Sequence, residues 1–139
     1  MQPGRLLALD LGARRVGLAV SDELRITVRP LPGLRRTNWK QFVRDVAELC
    51  ERFDARGLVV GLPLRLDGFE GDAAREAKRV AHNLELSLGI PIYLQDERLT
   101  THDATQNLRA AGVAEKRISA QVDSEAATII LRDFILSSI

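Results

Sequence analysis

Arg5-Leu-Leu-Ala-Leu-Asp10-Leu-Gly-Ala-Arg-Arg15-Val-Gly-Leu-Ala-Val-Ser21 is the stretch that decides the fold class. Each of its two apolar runs can form a buried strand. The residues between them are too few for a parallel crossover, so the pair reads as an antiparallel hairpin. The first run meets an acid, Asp10, and then Gly12. A carboxylate closing a buried strand costs free energy unless a cation or hydrogen-bond donors meet it. Working outward, residues 25–29 supply a third strand closed by Pro30 and Pro32, with 31–38 as loop. Trp39, Phe42, Val43, Val46, Leu49, Cys50 and Phe53 then recur at helical spacing. Residues 57–61 form a buried strand that Pro63 stops, and 64–71 a loop around the Asp67-Gly68 turn.

A second helix over 72–88 carries Ala73, Ala77, Val80, Ala81, Leu84 and Leu88 on one face, with Gly89 placed to cap it. Residues 91–95 are a strand running into Asp96-Glu97-Arg98. A capping box from Thr100 to Asp103 starts a third helix ending near Gly112, and 119–136 form the last. Antiparallel strands followed by strand–helix alternation give an α/β fold. Its mixed five-stranded sheet is flanked by helices within one domain over residues 1–139.

Composition is ordinary for a globular chain, 45% hydrophobic and 28% charged, and nothing in it argues for disorder. No apolar run approaches the roughly 20 residues that cross a bilayer, and the first residues do not read as a signal peptide. Cys50 is the single cysteine, so neither an internal disulfide nor a cysteine zinc site is available. The expected location is the cytoplasm, away from membranes. The net charge of +1 decides little, but 17 of the 20 basic residues are Arg, whose planar fork suits phosphate. Arg14, Arg15, Arg25, Arg29, Arg35 and Arg36 crowd the first 36 residues, a local basic surface suited to a polyanion.

In an open sheet, ligands gather beyond the carboxyl ends of the parallel strands. Three segments put polar residues there: Asp10, the loop 62–71, and Asp96-Glu97, either of which could face the site. A third acid comes from the last helix, where Asp123 shares a stripe with Ala126, Ala127, Ile130, Leu131 and Phe134. Converging carboxylates make a hard-oxygen site for Mg²⁺ or Mn²⁺. Such ions serve phosphodiester hydrolysis without any His or Cys. The bland alternatives are that Asp123 caps its helix and that Asp67 and Asp72 are turn and cap residues.

The chain resembles the YqgF/RuvX family of ribonuclease H-like nucleases over nearly its whole length. Four motifs carry the likeness: the run from Asp10 to Asp22, Gly61-Leu-Pro-Leu-Arg-Leu-Asp-Gly68, Asp96-Glu-Arg-Leu-Thr-Thr101, and Val122-Asp-Ser-Glu-Ala-Ala127. The resemblance implies a ribonuclease H-like fold and a metal-dependent nuclease associated with the 5′ end of precursor 16S rRNA. It also implies kinship to Holliday-junction resolvases, with branched DNA as the alternative substrate. Carried over by position, Asp10, Glu97 and Asp123 are the metal ligands and catalytic acids, Glu97 being chosen over Asp96 by likeness to related resolvases. Arg14, Arg15, Arg65 and Arg98 are the expected contacts to nucleic acid. Monomer and homodimer both stay open. Ala13 stands where many members carry a hydroxyl, Arg65 where small or amide residues are common, and Ser124-Glu125 replaces a more apolar pair. Two other readings compete. An ATP-binding domain of the sugar-kinase type would need a second lobe, and an inactive RNA-binding assembly factor would have no need of the three acids.

Overall fold

In the computed structural model the chain forms β1 (Arg5–Leu11), β2 (Arg15–Ser21), β3 (Val28–Arg35), α1 (Trp39–Phe53), β4 (Ala55–Leu62), α2 (Asp72–Leu88), β5 (Ile92–Asp96) and α3 (Glu115–Ser137). The described residues are 4–97, 110, 112 and 115–138, without the side chains of 115–123. Apart from residues 110 and 112, the helix expected from Thr100 toward Gly112 lies outside them. The sheet is the mixed five-stranded one expected, in the order β3-β2-β1-β4-β5. β1–β2 and β2–β3 are antiparallel, and β1–β4 and β4–β5 are parallel. No helix among the described residues is long and apolar enough to cross a membrane.

β1 lies centrally, and its alternation divides the core. Leu7 and Leu9 enter the larger cluster, built with Phe42 and Val46 of α1 and Ala77, Val80 and Leu84 of α2. Leu6 and Ala8 enter the smaller one, with Ala127, Ile130 and Leu131 of α3. Helices thus cover both faces, and the next even residue of β1, Asp10, falls on the α3 face. On α2 it is Ala74 that is buried where Ala73 was expected. The same helix takes Gly71 rather than Asp72 as its N-cap. Cys50 is half-buried, and burial pushes its thiol up to about 11, in keeping with an inert core residue.

The third strand departs from expectation. Residues 25–27 belong to a turn, because the Asp22 carboxylate accepts from the Ile26 and Thr27 amides at 2.7 and 2.9 Å, the donors a ladder would otherwise use. Arg25 there is left-handed, at φ 58°. The strand instead runs through Pro30 and Pro32. Both prolines are tolerated because β3 is the last strand of the sheet, where a missing N–H need not interrupt a ladder on its open side.

A bulge in β3 locks α3 onto the sheet. Register moves from Val16↔Leu34 to Leu18↔Leu31, leaving Pro32 and Gly33 unmatched. A Cβ at Gly33 would come 2.9 Å from the Val16 carbonyl oxygen. Ser124 of α3 fills the gap: its Oγ donates to Leu31 O at 2.8 Å and accepts from Leu18 N at 3.4 Å. Ser124→Ala should lower stability by about 1–2 kcal/mol, because both partners lose their bond in a half-buried place. Urea unfolding checks this, and an unchanged midpoint would show that the hydroxyl does not anchor the helix.

Candidate active site

β1, β4 and β5 run parallel, so their carboxyl ends lie side by side. Asp10 pairs with Gly17 across the hairpin and is half-buried on the α3 face. β5 is half-exposed, and its parity separates the two acids that follow. Asp96 stands opposite Leu62, which packs into the α1/α2 cluster, so the backbone carries Asp96 on that face. Glu97, one residue on, returns to the α3 face. Its amide donates to Leu62 O at 3.1 Å, extending the β4 contact by one bond.

The Glu97 carboxyl folds back over β4 at Gly61. A Cβ there would overlap Glu97 Oε2, lie 2.9 Å from Glu97 Cδ and 2.8 Å from Ile130 Cδ1 of α3. Only a residue without a side chain lets the carboxyl and the helix approach the strand together. Glu97 then shares a side-chain hydrogen bond with Asp10. Burial first, then that bond and the charges of Asp10 and Asp96, push the Glu97 carboxyl up to about 9. Two carboxyl groups in hydrogen-bond contact cannot both carry charge without a cation, so the metal-free pair retains a proton. Hard oxygen donors that repel one another when ionised fit a divalent metal.

Of the expected ligands, Asp10 and Glu97 come together. Asp123 belongs to α3, but its side chain lies outside the described residues, as does Arg98. Among the described residues no group of three or more His, Cys, Asp or Glu is arranged to hold a metal. Arg15 opens β2 and is exposed, and Arg14 precedes it in the connecting turn, also exposed. Arg65 lies in the loop leaving β4, its guanidinium 5.7 Å from the Phe69 ring centroid and 3.9 Å from Asp67. Asp67 is the turn residue it was expected to be, accepting from Phe69 N at 2.9 Å. Gly61 was not singled out as a site residue. Its signal was available, since a glycine closing an otherwise apolar strand marks a close approach.

The strand order and the helices on both faces of the sheet give a ribonuclease H-like fold. Solved structures agree on the fold. Thermus thermophilus RuvC in complex with Holliday junction substrate superposes with a TM-score of 0.58 at 18% identity, over 97% of this chain and 95% of that one. The Fowlpox virus resolvase, in complex with Holliday junction DNA, gives 0.58 at 10% identity, over 97% and 99%. The profile of the RuvX family, described as Holliday junction resolvase, matches residues 4–137, and the chain belongs to that family. A relative from Anaeromyxobacter dehalogenans (strain 2CP-C), named "Putative pre-16S rRNA nuclease", is 42% identical over 94% of this chain and 96% of its own length. One of the same name from Syntrophus aciditrophicus is 40% identical over 94% and 87%.

Proposed function

We propose that the protein is a divalent-metal-dependent nuclease that hydrolyses phosphodiester bonds in maturing the 5′ end of precursor 16S rRNA. The observation that carries this reading is the hydrogen-bonded Asp10–Glu97 pair, one acid from β1 and one just past β5, meeting across β4. The names of the relatives supply the RNA substrate. Asp10, Glu97 and Asp123 are the residues that would hold Mg²⁺ or Mn²⁺. Such an ion, when bound, activates water and stabilises charge on the phosphoryl oxygens.

The chain's own residues do the rest. Asp10 is fixed by its place in the central strand, and Glu97 by the Gly61 surface beneath it. Together they hold negative charge in a half-buried place. Arg14, Arg15, Arg65 and Arg98 hold the substrate backbone as charge-assisted phosphate donors, largely without reading sequence. Cleavage of labelled precursor-rRNA leader and of four-way DNA junction, with Mg²⁺, Mn²⁺ or chelator, tests the reading. Wild type should cut the leader only with metal, and Asp10→Asn should reduce the rate by about 100-fold or more. Equal cutting by the variant would sink the assignment. Preferential cutting of the junction would redirect it to branched DNA.

A further inference from the structure

The register of the first hairpins places two like charges face to face. Arg15 of β2 stands directly opposite Arg35 of β3, and both are exposed. Like charges at directly opposed positions destabilise a sheet. Among the described residues neither guanidinium has a carboxylate within ion-pair distance. Their neighbour Arg36 behaves differently. Its guanidinium donates to Gly12 O at 3.0 Å and to Glu76 Oε1 at 2.7 Å, and its amide donates to Arg14 O at 2.8 Å. Arg36 therefore ties the corner of the hairpin down, while Arg15 and Arg35 are left facing outward.

Parity puts the pair on the side where the acids lie. Asp10 pairs with Gly17, and Arg15 is two residues from Gly17 on the same strand. Arg15 and its partner Arg35 thus share the face of Asp10, with Arg15 roughly 8 Å from it by strand geometry. Among the described residues nothing offsets this juxtaposition, and a polyanion laid across it would neutralise both charges.

We infer that Arg15 and Arg35 form a paired phosphate clamp, carrying the nucleic-acid backbone from the acids across β2 to the β3 edge. This rests on the nuclease reading and extends it by giving the path of the strand. The test measures binding of a labelled single-stranded RNA oligonucleotide in chelator across a salt series, together with thermal melting. Arg35→Gln is compared with Arg44→Gln, an exposed arginine on α1. Arg35→Gln should weaken binding about 3- to 10-fold at low salt. It should also flatten the slope of log affinity against log salt by about 0.7, the share of one single-strand phosphate. Arg44→Gln should leave the slope in place.

Because the substitution removes a repulsion, the Arg35→Gln melting temperature should hold or rise. Arg35→Glu, which offers Arg15 a partner, should raise it further while weakening binding more. If Arg35→Gln and Arg44→Gln give the same salt slope, the clamp is overturned while the nuclease reading stands. If wild type binds the oligonucleotide neither in chelator nor with Mg²⁺, both fall. A melting temperature lowered by Arg35→Gln would assign Arg35 to a structural contact and overturn the clamp.

Discussion

Gly61→Ala should cut phosphodiester cleavage by about 100-fold or more while leaving the protein folded, since misplacing a catalytic group by about 1 Å costs that much. The new methyl would overlap Glu97 Oε2 and sit 2.8 Å from Ile130 Cδ1. Both are the far ends of flexible side chains, so both can move aside, and overpacking costs only about 1 kcal/mol. The Glu97 carboxyl cannot move without leaving Asp10, and activity follows that contact rather than stability. Adding Ile130→Val removes the Cδ1 methyl of α3 that meets the new side chain and should recover the melting temperature without recovering the rate. Near-normal cleavage by the single variant would mean that the position of Glu97 over β4 does not matter to the reaction.

The same glycine shows what could be seen in the sequence and what could not. Asp10 was legible because a lone acid interrupts an otherwise apolar central strand, and the hairpin, the helices over 39–53 and 72–88 and the mixed sheet followed from period and spacing. The choice between Asp96 and Glu97 is not legible from alternation, because a strand buried on both faces, as residues 91–95 read from sequence, gives no parity signal. It lies instead at the end of the sheet, and its partner Leu62 fixes which acid faces α3. β3 was misplaced because proline was read as a terminator, whereas at the sheet's end it is a tolerated member. Arg15 was legible as one of a crowd of arginines, but its opposition to Arg35 depends on a register set by the bulge at Pro32 and Gly33, and no local pattern carries that.

In chelator, Glu97→Gln should be more stable than wild type at neutral pH, and the difference should vanish in acid. The folded carboxyl is raised to about 9 from an ordinary value of 4.5. Below the unfolded value both states are protonated and the group costs nothing. Between the two values the folded chain keeps a proton that the unfolded chain releases, so wild-type stability falls as pH rises, by up to about 1.4 kcal/mol per unit. Above the folded value the penalty is constant. At pH 7 the deficit is on the order of 2–3 kcal/mol, allowing for partial solvent access, which corresponds to a melting temperature lower by roughly 5–10 °C. Glutamine keeps a donor toward Asp10 and has nothing to titrate. Melting curves from pH 4.5 to 9 should therefore diverge steadily, with wild type falling below the variant. Saturating Mg²⁺ should reverse the order, because ligand binding to the folded state stabilises in proportion to affinity and the variant has lost a carboxylate ligand. Parallel curves in chelator would mean that Glu97 is ionised without a metal, and a variant that gains as much from Mg²⁺ as wild type would remove Glu97 from the metal site.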